Sequence, residues 1–292
     1  MTHAPFTAFV APARRRPQIW RVLLGCVVVV AVMALWGGAS FGVLVWAFGM
    51  PGALDWLAGL AEPTTPAVTL LLLSTFFGMA LGTIAAAKLL HGRGLASLIG
   101  PGRAALRDFG IATGVVAVFY AGSIGLWSVT TTPEPNLPPG LWAMVLPVAI
   151  VLIVVQTGAE ELLFRGYLMQ QIAARFGIRA LSYIVPSVIF GLLHLDPATM
   201  GGNAWVIVAS TTLVGLIAAD LTYVSGTLGA AWGLHFANNV AALTVVATKG
   251  TITGLSLYLT PYAADDLSPY LLGVDAVVLL AVWLVLRRLL RR

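Results

Sequence analysis

The chain has 292 residues, of which 59% are hydrophobic and only 9% charged, with a formal net charge of +5. A soluble domain carries about 25% charged residues, so the composition excludes an ordinary water-soluble globule. The positive charges collect at the ends of apolar runs, as a membrane orientation signal would have them, and do not suggest nucleic acid.

A spanning helix needs about 20 mostly apolar residues. The first candidate runs from about Val22 to Phe48. Arg14, Arg15 and Arg16 precede it, it is too long for a signal-peptide core, and it has no evident cleavage site, so it reads as a retained helix. The single cysteine, Cys26, lies inside it, so no intramolecular disulfide framework is possible. A loop with Pro51, Asp55, Glu62, Pro63 and Pro66 follows. The second helix is about Val68 to Leu90 and the third about Phe109 to Val129. Between them Lys88, Arg93, Arg103 and Arg107 flank a Gly-containing stretch that reads as a short interfacial helix. The loop Thr130 to Gly140 has four prolines and no Lys or Arg. The fourth helix starts near Leu141 and runs towards Phe176. The fifth is about Ala180 to Leu195, the sixth Ala204 to Tyr223, the seventh Thr227 to Thr248 and the eighth Pro269 to Leu290.

The predicted fold class is therefore all-α, a polytopic membrane protein of about eight transmembrane helices with both termini cytoplasmic. Placing Arg14–Arg16 and Arg21 inside also places inside the basic loop after helix two, Arg175 and Arg179 after helix four, and Arg287, Arg288, Arg291 and Arg292 at the C-terminus. Lys249 alone breaks the pattern. The chain divides into residues 1–140 (helices one to three with a basic cytoplasmic tail), a core at 141–248 (helices four to seven) and a C-terminal helix at 249–292. Short loops and basic termini point to a multi-pass protein of a bacterial inner membrane.

Ionisable groups inside these apolar stretches are the functional signal, because each costs at least ~2.5–3.5 kcal/mol in a bilayer. Gln156 to Tyr167 reads QTGAEELLFRGY. Glu161 and Arg165 stand four apart on one helix face, at ion-pair distance. Glu160 is rotated by roughly 100° from Glu161 and is left without that partner. His194 follows Phe190 by four residues, and His235 precedes Asn239 by four on a shared face. Asn238 lies off that face. Asp220 reads as a capping or interfacial residue. Asp275 lies a turn or two inside the outer end of helix eight. His3 and His91 read as tail and loop residues. Each group alone has a structural reading: an ion pair for Glu161–Arg165, interhelical hydrogen bonding for His194 and Asn239.

Together, a free carboxylate, two histidines and an amide suit hydrolysis by activated water. The carboxylate takes a proton from water, one histidine orients the water, and a second histidine with the amide stabilises the oxyanion. Two histidines and a glutamate also match a His₂Glu zinc site, although H-E-x-x-H is absent. Ligation would remove Glu160 as the base. The favoured expectation is thus no cofactor, with zinc on Glu160, His194 and His235 left open.

The stretches Glu160-Glu161-x-x-x-Arg165, Phe190-x-x-x-His194 and His235-x-x-x-Asn239 resemble, in order, the motifs of the CPBP family. These intramembrane proteases include type 2 CAAX prenyl endopeptidases and bacteriocin-immunity (Abi) proteins. The resemblance covers roughly Leu141 to Thr248. It implies an endopeptidase with Glu160 as general base, His194 on the water, His235 and Asn239 as oxyanion donors, and Glu161 and Arg165, beside Phe190, holding the site's shape. The implied partners are the lipid bilayer and a protein or peptide substrate, possible lipidation included. The family has been described as metal-dependent and as glutamate-dependent, which keeps the metalloprotease alternative open. Two rivals remain: a proton-coupled transporter using the buried Glu and His, and an inactive scaffold for another membrane protein. The absence of inverted repeats speaks against transport. Simple counting puts His194 deeper than His235, so helix four or five is expected to extend into the cytosol.

Overall fold

The computed structural model describes residues 3–291, apart from the side chains at positions 269, 270 and 272; Arg292 of the predicted basic C-terminus lies outside the described residues. The chain opens with α1 (Ala4–Val10) and a 3₁₀ turn (Ala11–Arg15). Phe6, Phe9 and Val10 are buried, and the Phe6 ring lies 5.0 Å from that of Tyr223. Helix α2 (Ile19–Gly59) continues through residues read as a loop, with a kink at Gly49 (φ 70°). Glycine takes that positive φ without a Cβ clash. Pro51 then sits in the first turn of the restarted helix, where a missing N–H costs nothing.

The second predicted span is α3 (Pro66–Ser74) followed by α4 (Phe76–His91). The break falls where the Ser74 and Thr75 hydroxyls donate to the Leu71 and Leu72 carbonyls, both at 2.6 Å. The expected short helix between the basic residues is α5 (Leu95–Ile99), and α6 (Gly102–Thr130) is the third span. After β1 (Glu134–Pro135) comes α7 (Pro139–Glu161), which passes through a π-helical segment (Leu162–Met169) into α8 (Gln170–Phe176). This 38-residue rod is ~57 Å long at 1.5 Å per residue. The hydrocarbon core is only about 30 Å thick, so the rod overshoots it. Its α8 end packs on α1 and the 3₁₀ turn.

Helix α9 (Arg179–Leu192) ends sooner than expected, which leaves His194 in the following turn. Then come α10 (Pro197–Met200), a 3₁₀ turn (Gly201–Asn203), α11 (Ala204–Ser225) and α12 (Gly229–Val240). A second π segment (Ala241–Val245) ends the seventh helix before Thr248. Residues 246–249 instead form β2 (Val246–Lys249), parallel to β3 (Tyr258–Ala263), while β1 pairs antiparallel with β3. The β-branched run there favours a strand over further helix. Helix α13 (Pro269–Leu289) closes the fold.

Loop contacts define two end layers. At one end, the Thr253 and Gly254 N–H groups donate to Pro63 O at 3.3 and 3.1 Å. There too, β1 meets β3, and Asn203 Nδ2 donates to the carbonyls of Ala264, Asp265 and Leu267. The loops after the first, third, fifth and seventh predicted helices are thereby gathered together. At the other end, Leu228 N–H donates to Ile99 O at 3.0 Å. Asp220 holds Arg179 (3.3 Å), Arg287 (3.2 Å) and Trp283 Nε1 (2.9 Å). The chain thus shuttles between two layers, and the basic termini share one of them. Lys249, the exception to the charge pattern, pairs with Glu134 at 2.6 Å in the opposite layer.

Among the described residues, five helical stretches are long and apolar enough to cross a membrane, and α9 is a shorter apolar helix. The fold is an all-α polytopic membrane protein. Two histidines differ from expectation. His91 is buried, with Nδ1 donating to Arg16 O and Nε2 at 2.9 Å from the Tyr167 hydroxyl. The His3 ring stacks 4.9 Å from Tyr223.

Candidate active site

The site lies where α7, α9 and α12 meet beside α11. Close approach is set by small residues. At Gly158 a Cβ would fall 2.5 Å from Trp232 Cζ2, so only glycine lets α12 lie this near α7. Trp232 Nε1 then donates to Val154 O and Thr157 Oγ1, both at 3.2 Å. Gly191 does the same for α9 on α11, where a Cβ would fall 2.0 Å from Thr212 Oγ1.

Glu161 and Arg165 form the expected ion pair at 2.8 Å, each 1% exposed. The Arg165 guanidinium also donates to Gly215 O at 3.1 Å and stands 4.9 Å over the Phe190 ring. Phe190 touches most of the site, since its ring lies 4.8 Å from His194, 5.8 Å from His235 and 5.1 Å from Phe164.

His235 departs from the sequence reading. Its Nδ1 donates to Glu161 Oε1 at 2.9 Å, and its Nε2 faces Glu160 Oε2 at 3.3 Å. Glu160 is therefore not left alone by its neighbour's ion pair, because the imidazole spans both carboxylates. Buried charges persist only when paired. Two carboxylates and one guanidinium leave one formal negative charge over, beside the His235 imidazole. Glu160 is 8% exposed, and its Oε2 accepts no hydrogen bond among the described residues.

His194 is exposed, in the turn after α9. Its Nδ1 donates to Phe190 O at 2.8 Å, which leaves Nε2 as the acceptor of the neutral ring. His194 and His235 both lie within electrostatic reach of Glu160. Asn239 Nδ2 donates to Gln156 Oε1 at 2.8 Å, and its Oδ1 accepts from Asn238 Nδ2 at 3.1 Å. These two contacts fix the amide's orientation and leave its second N–H free of them. Asn238 in turn accepts from the Tyr120 hydroxyl. Gln156 was not singled out in the sequence, although it is the polar residue one helical turn before Glu160. Tyr120 gave no sequence signal, being an aromatic in an apolar helix.

The proposed zinc donors were Glu160, His194 and His235. Among the described residues, no three His, Cys, Asp or Glu side chains gather closely enough to hold an ion. The donor set does not close into a metal site here, and no step below is routed through one.

Residues 141–241 match the family model described as type II CAAX prenyl endopeptidase Rce1-like. The chain carries an Rce1-like domain. Glu160, Glu161, Arg165, Phe190, His194, His235 and Asn239 all fall inside it, as does Gln156. The chain is also 29% identical, over 122 residues, to the uncharacterized protein YyaK of Bacillus subtilis (strain 168). That match covers 41% of this chain and 40% of the relative, so the similarity spans well under two thirds of that protein's length. No solved structure matches the chain significantly. The Rce1-like domain contributes α7 to α12, while α6, α4 and α13 pack on its α12, α7 and α11 from outside it.

Proposed function

We propose that the Rce1-like domain is the catalytic unit of an intramembrane endopeptidase that hydrolyses a peptide bond of a membrane-associated or lipidated substrate with activated water. The observation that carries this reading is the buried Glu160 carboxylate, held at 3.3 Å from His235 Nε2 inside that domain. The reaction needs Glu160 as the base and an Nε2–H on His235 as a donor.

Glu160 takes one proton from water as the water oxygen bonds to the scissile carbonyl carbon. The carbonyl electron pair moves onto oxygen, where His235 Nε2–H and the second N–H of Asn239 donate to it. His194 Nε2 accepts the water's other hydrogen and so orients it. Glu160 passes its proton to the amide nitrogen as the C–N bond breaks, which yields a carboxylic acid and an amine. Glu161 holds His235 in the tautomer that keeps Nε2 towards Glu160, and Arg165 balances Glu161. The excess of Arg in the layer with both termini favours a cytoplasmic face for it.

The test is cleavage of a fluorogenic peptide library by detergent-purified protein. Glu160→Gln and His194→Ala are each expected to lose activity on the order of 10²–10⁴-fold. Activity surviving a strong chelator supports the water mechanism as written. Activity lost to chelation and restored by zinc replaces it with a metalloprotease. No cleavage of any peptide overturns the reading.

A further inference from the structure

We infer that a cavity in the end layer opposite the basic termini receives a cationic group on an apolar stem, with Asp275 as its counter-charge. The cavity measures about 400 Å³ and lies between α6, α11, the π segment after α12, the small sheet and α13. That volume is in the range of small-ligand pockets. Its walls are mostly apolar, including Ile207 and Val274, and Asp275 is the one charged residue among the described lining.

Asp275 has no role in the proteolytic site. Among the described residues it makes no hydrogen bond or ion pair, unlike Asp220, Glu134 and Glu161. Asp275 is exposed where α13 lines the cavity, and an unpaired carboxylate on an apolar membrane helix marks a ligand or ion site. The surroundings specify the sign and shape of the ligand. Tyr120 and Tyr262 both lie within electrostatic reach of Asp275 and line the cavity with Trp127. Aromatic faces around a carboxylate suit an ammonium or guanidinium, which gains from both. An anion would meet Asp275 unfavourably, and a neutral apolar group would leave it unpaired.

The cavity also touches the proteolytic site by one chain of bonds. The Tyr120 hydroxyl donates to Asn238 Oδ1, and Asn238 Nδ2 donates to Asn239 Oδ1 at 3.1 Å. An occupant of the cavity thus contacts a side chain two hydrogen bonds from Asn239. The cation has two sources: a basic side chain of the peptide substrate or a free organic amine.

The experiment is calorimetric titration of the full-length Glu160→Gln protein in detergent with 4-phenylbutylamine, against empty micelles, with 4-phenylbutanol as the neutral control. Saturable amine binding at least about tenfold tighter than the alcohol is expected, reduced to the alcohol's level by Asp275→Asn. Equal binding of amine and alcohol overturns the inference, as does undiminished amine binding in Asp275→Asn. Should that variant fail to fold, the amine–alcohol comparison on the unaltered cavity still decides. Paired peptides containing lysine or norleucine then separate the sources. Displacement of the amine by the lysine peptide alone makes the cavity a substrate subsite, and displacement by neither makes it a site for a free amine. Binding is read without turnover, so a failed protease reading leaves this result intact.

Discussion

Glu160 and Glu161 are adjacent carboxylates with opposite duties, and their environments separate them. Glu161 Oε1 accepts from both Arg165 Nη1 and His235 Nδ1. Removing its charge leaves a buried guanidinium uncompensated. Breaking a buried pair costs about 3–5 kcal/mol. Glu161→Gln is therefore expected to lower the thermal unfolding midpoint sharply, read by tryptophan fluorescence in detergent. Glu160→Gln leaves the Glu161–Arg165 pair intact and is expected to unfold near the unaltered protein while losing cleavage. Equal midpoints for the two variants would refute this division of labour. Gln156 works through Asn239. Gln156→Leu frees the amide to rotate, and the expected result is a fall in kcat of about tenfold with little change in KM, since only transition-state stabilisation is disturbed. A rise in KM alone would assign Gln156 to substrate binding instead.

Helices α7 and α12, which carry Glu160 and Asn239, change their winding just past them. A π segment follows Glu160–Glu161 directly on α7, and another begins two residues after Asn239. Such segments are frequent at functional sites, where they re-aim side chains. The pairing of the two helices rests on Gly158 against Trp232. Gly158→Val places new atoms inside van der Waals contact with the indole. Overpacking of this kind costs about 1–3 kcal/mol. The shift also moves Glu160 from His235, so activity is expected to fall further than stability. Shrinking the indole in Gly158→Val/Trp232→Leu is expected to recover part of the midpoint. A double variant that is merely the sum of the two singles would show that the contact is not what sets the spacing.

Across the whole molecule, the odd-numbered connections form one layer and the termini and even-numbered connections the other. With Cys26 replaced by serine, single cysteines test the threading. Thr64→Cys and Asp265→Cys, both exposed in the first layer, are expected to react with a membrane-impermeant maleimide on intact cells. Arg103→Cys, exposed in the basic layer, is expected to react only once the membrane is opened. Labelling of Thr64→Cys and Asp265→Cys from opposite sides would contradict the fold.

Hydropathy and local spacing were enough to place the apolar helices, the Glu161–Arg165 pair and the residues of the Rce1-like motifs, because each of these is a property of one segment. A helix fixes what stands four residues away, and an apolar run exposes any charge within it. Contacts between segments had no such signature. His235 and Glu161 are 74 residues apart in sequence, and nothing local told that one imidazole would span both glutamates. His91 looked like a loop residue until α2 and the rod of α7 and α8 closed around it. The loop predicted after Phe48 became helix because Gly49 absorbs the turn, and the end of the seventh helix became strand because β3 offers its backbone a partner. Which polar groups meet, and which carboxylate is left to face a cavity, was decided by how closely the helices pack, and that depends on small residues such as Gly158 and Gly191 meeting large ones from elsewhere in the chain.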